Sequence, residues 1–330
     1  MKKLIIFLLL TSLINAAEEL FELESFSFSM ENDNDVHTDF GYTHGARVSL
    51  LFYRGDTQKS FLNIPFTSFK TTNNFISFSY SNQMFTPYDL DQTQLIKDDR
   101  PYAGYSYIEI GVHQTSKSSL DSLTLQTGVV GESSKMDSLQ NLFHKSIAAS
   151  NASGWDYQLK DEFIMQLNYM HKWRLEYSKI YDLESVLVPH AGANIGNASI
   201  KASGGALYRI GFNIPKDFGM NSMNEGSFSS LPTDSKVIIN NPSKWSINLN
   251  ISAGSNLVFR DIFLDGNTFR DSHSVDKNYF NAYVSLGGSA RYKNFSVDYQ
   301  HNYYSKEYKQ RGLHRTYKGY GSLIFSYNFE

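Results

Sequence analysis

Short segments in which apolar and polar residues alternate run through most of this 330-residue chain and constrain its fold more than any other feature. The alternation is clearest in residues 245–254, where Ile247, Leu249 and Ile251 are separated by serine and asparagine. Successive side chains of a β-strand point to opposite faces, so each such segment predicts a strand with one apolar and one polar face. The twelve predicted strands are 25–30, 48–52, 75–83, 105–113, 122–128, 163–174, 183–193, 200–213, 245–254, 278–292, 294–304 and 319–329.

The start of the chain predicts export from the cytoplasm. Two lysines precede an apolar run over residues 4–13, and two alanines follow shortly after it. This is the pattern of a secretory signal, and the run is too short for a membrane-spanning helix. We therefore expect residues 1–16 to be a signal peptide and residues 17–330 to form a single domain.

The composition favours one class of all-β protein. The chain has no cysteine, which excludes disulfides and thiolate chemistry, and its mean hydropathy is −0.38 although it contains 24 Phe and 22 Tyr. Together with the even number of strands, this predicts a transmembrane antiparallel β-barrel of about 12 strands. We expect a monomer surrounded by lipid in the bacterial outer membrane, with a soluble β-sandwich as the alternative. The net charge of −3 offers no basic surface for nucleic acid.

Strand parity assigns the loops to the two sides of this barrel. If both chain ends lie in the periplasm, the loops after odd-numbered strands face outward. These external loops include residues 31–39, 84–103 and 132–160. Residues 215–243 fall on the periplasmic side, where connections are normally short, so this segment is either unexplained or hides a further strand.

The first external loop is rich in side chains that carry oxygen. Its polar residues are Glu31, Asn32, Asp33, Asn34, Asp35 and Asp39. Such oxygens suit a hard cation such as calcium. The same composition is also ordinary turn chemistry between two strands, so both interpretations stay open.

The third external loop contains a candidate for acid–base chemistry. Gln140 and His144 are four residues apart and would share one face of a short helix. Leu139, Leu142 and Phe143 would form an apolar side that lies against the barrel. Histidine can move a proton near neutral pH, whereas a loop histidine bonded to local backbone is the simpler alternative.

Two more features of the external loops are ambiguous. Trp155 is expected in the interfacial aromatic belt of the barrel. Arg100 either pairs with Asp98 or Asp99 in a rigid turn, or it or Lys97 binds a phosphate group of a lipid head. No serine-hydrolase, zinc-protease or phosphate-loop motif is present, so water activated by a histidine, with a cation at the carbonyl, is the hydrolytic chemistry left available.

Six short motifs occur in a fixed order along the chain. They are Glu31-Asn32-Asp33, Thr38-Asp39, Tyr42-Thr43-x-Gly45, Asp99-Arg100-Pro101-Tyr102-Ala103-Gly104, Gln140-x-x-x-His144 and Gly154-Trp155. As an ordered set they resemble the outer-membrane lipid A 3′-O-deacylase family across nearly the whole mature chain. The resemblance implies a twelve-stranded barrel whose active site lies on the extracellular side, between the outer wall and a loop helix. It also implies calcium-dependent hydrolysis of the ester that holds the 3′ acyloxyacyl group on lipid A.

The resemblance further implies catalytic roles for particular residues. His144 would be the general base that activates water. Thr43 and Gln140 would line the site and orient water or substrate. Asn32 would lie at the calcium and oxyanion site and contribute to both catalysis and metal binding.

The metal and the substrate would be held by other residues of the same motifs. Asp33 would be a calcium ligand beside Asn32. Lys97 would approach a phosphate group of lipid A or lipopolysaccharide, with Arg100 as a second candidate. Position 44 holds histidine where many members have asparagine, so His44 receives no role. A non-catalytic barrel (a pore or an adhesin) and an outer-membrane phospholipase are the alternative functions.

Overall fold

A computed structural model describes most of the chain. The described residues are 21–33, 40–55, 64, 73–146, 152–223, 228–233, 245–309 and 318–329. The predicted signal peptide lies outside them, as do residues 34–39 of the acid-rich loop. The side chain of His144 is also outside the described part, although its backbone lies in a helix.

Thirteen strands account for most of the described residues. They are β1 (Glu22–Asn32), β2 (Gly41–Gly55), β3 (Asn73–Thr86), β4 (Ala103–Thr115), β5 (Ser119–Val130), β6 (Glu162–Trp173), β7 (Leu175–Ile180), β8 (Leu183–Gly196), β9 (Ser199–Phe212), β10 (Trp245–Asp261), β11 (Phe280–Tyr292), β12 (Phe295–Tyr304) and β13 (Lys318–Asn328). The described connections contain two α-helices, α1 (Met136–Ser146) and the single turn α2 (Ile262–Asp265), and two short 3-10 helices, Glu132–Ser134 and Trp155–Tyr157. None of the helices in the described ranges combines the length and the apolar content needed to cross a membrane.

The strands form one closed antiparallel barrel. Strand β1 pairs with both β2 and β13, and the circle closes where β6 pairs with β8. Lys172 lies opposite His190, and three residues later Leu175 lies opposite Leu187 in the same register. Strands β6 and β7 are therefore one strand interrupted at Arg174, and the barrel has twelve strands. The predicted fold class and strand number are confirmed.

The alternation seen in the sequence separates the two faces of the wall. In β1 the side chains of Phe26, Phe28 and Met30 are exposed, whereas Ser25 and Ser27 are buried on the lumen side. This arrangement is inverted relative to a soluble protein, and it places the apolar side chains where lipid surrounds them. The polar lumen and the apolar outer belt are what the prediction of a membrane barrel requires.

The connection between β9 and β10 folds into the lumen at the end of the barrel that carries the chain termini. Its described residues are 214–223 and 228–233. A cluster of buried apolar side chains joins this connection to the wall; it includes Phe218, Phe228 and Leu231 from the connection and Leu51, Phe75 and Leu120 from the strands. The long periplasmic-side segment that the sequence left unexplained therefore contains, in its described part, an internal plug rather than a further strand.

Polar contacts also hold this plug. Arg209 forms an ion pair with Asp217, and the Lys172 ammonium donates a hydrogen bond to the Phe218 carbonyl at 3.2 Å. The Asn221 side chain accepts a second hydrogen bond from Lys172. Buried cations are stable only when they are paired, so these contacts fix the plug against β6 and β9.

Replacing Phe218 by alanine is expected to destabilise the barrel. Its side chain is fully buried in the plug cluster, so the truncation leaves a cavity that costs about 3–5 kcal/mol. The urea midpoint of the refolded protein in detergent measures this loss. Phe269→Ala is the control, because Phe269 is 75% exposed and its truncation should leave the midpoint nearly unchanged. Equal midpoints for the two variants would contradict the plug assignment.

Candidate active site

The hairpin of β1 and β2 gathers three of the predicted site residues. The Asn32 side-chain amide donates to the Thr43 carbonyl at 3.2 Å, and the Asp33 backbone N–H donates to the same carbonyl at 3.3 Å. The register between β2 and β3 shifts between Tyr42 and His44, which leaves Thr43 as the extra residue of a bulge. Bulges often re-aim a side chain next to an active site, and here the bulge brings Thr43 to the ends of β1 and β3.

The hydroxyl group of Thr43 has a defined neighbour. Its Oγ1 lies 2.6 Å from Oγ1 of Thr86, the last residue of β3, and both residues are buried. A hydrogen bond of this length fixes the rotamer of Thr43. Thr86 is therefore part of the candidate site, although its place in the sequence gave no sign of this role.

Asp33 is almost fully buried, and its carboxylate contacts the backbone of Phe40. The Oδ2 atom accepts a hydrogen bond from the Phe40 backbone N–H at 2.8 Å. This contact fits the turn interpretation of the acid-rich loop, and it leaves the metal interpretation to be tested by experiment.

The described ligand oxygens are of the type that binds calcium, but they are too few to complete a calcium site. Asn32 donates through its amide nitrogen, so its amide oxygen lies on the side away from the Thr43 carbonyl. That oxygen and the Asp33 carboxylate are hard ligands of the type calcium prefers, but calcium takes roughly 6–8 oxygens. Within the described ranges no group of three or more His, Cys, Asp or Glu side chains could hold a metal ion. Further oxygens, beyond those of these two side chains, would complete such a site.

One row of paired residues crosses four strands at the loop end of the barrel, opposite the chain termini. Asn32 on β1 lies opposite His44 on β2. His44 lies opposite Met84 on β3, which in turn lies opposite Gly104 on β4. Gly104 is in phase with the exposed Ile108, so this row is on the outer face of the wall. Neighbouring strands are about 4.8 Å apart, so Asn32 and Met84 are separated by roughly 10 Å.

Helix α1 covers the far end of this row. Met136, its first residue, packs in one buried cluster with Met84 and Tyr102. A Cβ atom on Gly104 would lie 2.6 Å from Cβ of Met136, so this close approach requires glycine. The helix predicted in the third external loop is present, and it lies against the outside of the barrel on the same wall as Asn32 and Thr43.

The loop that carries α1 is anchored at its return to the barrel. Asp161 accepts hydrogen bonds from the backbone N–H of Ser133 at 2.7 Å and from its hydroxyl at 2.5 Å. Burial acts to raise the pKa of the Asp161 carboxyl, but the Ser133 hydrogen bonds and the charges of Lys135 and Arg270 lower it below its ordinary value. Asp161 therefore stays ionised at neutral pH and holds the start of the loop.

The predicted orientation of α1 is wrong. Leu139 and Leu142 are 37% and 67% exposed, whereas Gln140 is buried and faces the wall with Met136. The apolar side of this helix points away from the barrel, as do the apolar side chains on the outer face of the strands. Gln140 on the polar side turns inward and accepts a hydrogen bond from Trp155 there.

Gln140 and Trp155 form the central contact between α1 and the rest of its loop. The indole Nε1–H of Trp155 donates to Oε1 of Gln140 at 2.7 Å. Trp155 is buried, and its ring lies 4.9 Å from the Tyr102 ring. The expectation that Trp155 lies in the interfacial belt is therefore wrong, because the ring is enclosed by its own loop and by the β3–β4 connection. Position 144 follows Gln140 by one helical turn in α1.

The structure places the two predicted phosphate-binding residues differently. Lys97 is exposed in the β3–β4 connection. Arg100 is fully buried, with Nη1 3.2 Å from Oε2 of Glu307 and its guanidinium 4.9 Å from the centre of the Phe85 ring. Burial acts to lower the pKa of Arg100, but Glu307 and other neighbouring groups raise it above its ordinary value. A lipid phosphate outside the barrel cannot reach this guanidinium in the observed arrangement.

Comparison with known proteins assigns the family. The model of one protein family, described as outer membrane protein LpxR, matches residues 4–329. The chain belongs to the LpxR family. It is an outer-membrane β-barrel, and no curated protein sequence matches it.

Solved structures agree with this membership at the level of fold. LpxR from Salmonella typhimurium is 15% identical, with a TM-score of 0.73, and the match covers 92% of this chain and 100% of that chain. A second match is the beta domain of the Bordetella autotransporter BrkA, at 8% identity and a TM-score of 0.43, covering 94% of this chain and 100% of that chain. A third is the translocator domain of the autotransporter NalP from Neisseria meningitidis, at 10% identity and a TM-score of 0.37, covering 99% of this chain and 97% of that chain. The last two TM-scores are too low to support an argument.

Membership of the LpxR family does not by itself locate every residue of the site. The sequence predicted Asn32, Asp33, Thr43 and Gln140 as site residues, and the structure places them on one wall or on the helix that covers it. It missed Thr86, which holds Thr43, and it misplaced Trp155. The DRPYAG motif contributes Gly104, which lets α1 approach the wall beside the candidate site, whereas Arg100 of the same motif is buried against Glu307.

Proposed function

We propose that this protein of the LpxR family is a lipid A 3′-O-deacylase, a carboxylic ester hydrolase. It hydrolyses the ester that links the 3′ acyloxyacyl group to lipid A, at the extracellular side of the outer membrane, and works as a monomer. The observation that carries this proposal is the row from Asn32 to Gly104 on the outer wall, covered at one end by α1. An ester of a membrane lipid can reach this row directly from the bilayer.

The residues of the row and the helix suit ester hydrolysis. His144 is proposed to take a proton from water while the water oxygen attacks the ester carbonyl carbon. The bond from that carbon to the 3′ oxygen of lipid A then breaks, and the 3′ oxygen receives the proton. The products are the free acyloxyacyl acid and a 3′ hydroxyl. Thr43 and Gln140 hold the water and the substrate in position.

The negative charge that develops on the carbonyl oxygen needs stabilisation. We propose that Asn32 and Asp33 hold a calcium ion, which would polarise the ester carbonyl when bound. Asn32 is fixed for this role by its contact with the Thr43 carbonyl. Lys97 is the residue proposed to contact a phosphate group of lipid A, because its exposed position leaves the ammonium group accessible.

The lumen does not favour the pore alternative. Residues 214–223 and 228–233 occupy the terminus end of the lumen with a packed apolar cluster. A conducting barrel needs a continuous polar path, and this cluster interrupts it in the described structure.

Purified protein in mixed micelles tests the proposal against the phospholipase alternative. The protein is incubated separately with hexa-acylated lipid A and with a glycerophospholipid, each in the presence of calcium. Release of the 3′ acyloxyacyl acid from lipid A alone is expected. Release of fatty acid from the glycerophospholipid alone would show a phospholipase, and no release from either lipid would favour a non-catalytic barrel.

Replacing Thr86 by valine is expected to reduce deacylation about fivefold, because one buried hydrogen bond to the Thr43 hydroxyl is lost while the shape is kept. Thr86→Ser keeps the hydroxyl and should retain most of the activity. Initial rates of acyl release measure both variants. Wild-type rates for the valine variant would show that Thr86 does not position Thr43.

A further inference from the structure

The hydrogen bond between Trp155 and Gln140 fixes which end of the Gln140 amide faces the indole. An indole N–H can only donate, so the oxygen of the amide must face Trp155 at 2.7 Å. The amide nitrogen of Gln140 is then turned away from the indole. Gln140 therefore presents an N–H donor, and not an acceptor, to whatever lies on its other side.

The indole is held rigidly enough to enforce this choice. Trp155 is only 6% exposed and packs with Met84, Tyr102 and Met136 in one cluster. A Cβ atom on Gly154 would lie 2.5 Å from the Tyr102 ring, so glycine at that position lets the Trp155 turn approach this closely. Rotation of the indole away from Gln140 would require the whole cluster to open.

The amide nitrogen of Gln140 lacks a partner within the described structure. Gln140 is 3% exposed, and its Nε2 atom is buried without a hydrogen bond to any described residue. A buried donor without an acceptor is costly, and such groups usually mark a bound water, an ion or a ligand. An oxygen of a molecule that enters the site would complete Gln140.

We propose that Trp155 is a positioning residue for deacylation: it locks the Gln140 amide so that Nε2–H donates to an oxygen of the reacting ester or of the attacking water. This inference rests on the proposed function. A donor fixed in advance stabilises developing charge on oxygen without having to reorganise during the reaction. Without the indole N–H, the amide can rotate by half a turn and present its oxygen, which repels the same charge.

Trp155→Phe tests this role, because phenylalanine keeps an aromatic ring against Tyr102 and removes the N–H donor. We expect kcat for release of the 3′ acyl group to fall about fivefold to tenfold, with KM within about twofold of wild type. Trp245→Phe is the matched control, since Trp245 is 58% exposed at the opposite end of the barrel, and it should leave both constants unchanged.

A double-mutant cycle separates positioning from general packing. In a Gln140→Met background, adding Trp155→Phe should cause no further loss of kcat, because the residue through which Trp155 acts is gone. Gln140→Glu should be at least as impaired as Gln140→Met, because its carboxylate still accepts from the indole but presents an acceptor to the substrate.

The outcomes distinguish this inference from the proposed function. Active wild-type protein combined with multiplicative losses in the double variant, or with an active Gln140→Glu variant, would overturn the positioning role and leave the deacylase proposal intact. Wild-type protein that releases no acyl group from lipid A would overturn both.

Discussion

Replacing His144 by alanine is expected to lower kcat for release of the 3′ acyl group by a factor of about 10²–10⁴, the range that a general base contributes. The variant should still insert and fold, because position 144 lies near the end of α1 on the outside of the barrel. Acyl release from lipid A in micelles measures the rate, and the shift in electrophoretic mobility between heated and unheated samples reports folding.

His190→Gln is the matched histidine control. His190 lies on the lumen side, with Nε2 2.8 Å from the Tyr283 hydroxyl, so it has no access to the outer row. Its replacement should leave deacylation within about twofold of wild type. A folded His144→Ala variant with normal rates would remove His144 from the mechanism, whereas an inactive His190→Gln variant would point to chemistry inside the lumen.

Replacing Asp33 by asparagine is expected to reduce activity at fixed calcium by about 10²-fold or more. Asparagine has the same shape, and its side-chain oxygen can still accept a hydrogen bond from the Phe40 backbone N–H, so this contact is preserved. Only the negative charge is lost, and with it the strongest proposed ligand of the cation. Activity measured over a calcium titration should show a higher calcium requirement in the variant.

Chelation and a charge-matched control complete this experiment. Chelator should abolish acyl release by the wild-type protein, and added calcium should restore it. Asp98→Asn removes a carboxylate from an exposed position in the β3–β4 connection and should behave as wild type. Full activity of Asp33→Asn, with no response to chelator, would leave Asp33 with the turn role alone.

The sequence was sufficient to predict the barrel because the alternation of apolar and polar residues depends on a local property of each strand. Each exposed Phe or Ile next to a buried Ser reports which face of the strand meets lipid, and no long-range information is needed. The predicted strand over residues 163–174 ended at Arg174, where the structure divides β6 from β7. Counting this segment as one strand gave the correct even number of strands. That number in turn placed the loops that carry Asn32 and Gln140 at the same end of the barrel.

Pairings between distant parts of the chain could not be found in this way. Arg100 forms an ion pair with Glu307, which is 207 residues away in the sequence. The sequence suggested the neighbouring acids Asp98 and Asp99 as its protein partners instead. The plug was missed for a similar reason, since Phe218 contacts strands far from it in sequence.

The prediction of how α1 is oriented was wrong for a different reason. A helical pattern shows which residues share a face but not what that face meets. In a water-soluble protein, a leucine such as Leu142 would be expected to face the protein interior. In this membrane barrel Leu142 is exposed. The polar face of α1 carries Gln140 towards Trp155, whose indole N–H fixes the orientation of the Gln140 amide.

Mass spectrometry of lipid A provides the decisive test of deacylation, in a bacterial host that normally keeps its 3′ acyl chains and is made to produce this protein. We predict a lipid A species that has lost the whole 3′ acyloxyacyl group, and its absence when His144→Ala is produced at the same level in the outer membrane. Unaltered lipid A in cells that contain folded wild-type protein, grown with ample calcium, would contradict the assignment of deacylation to the outer row and α1.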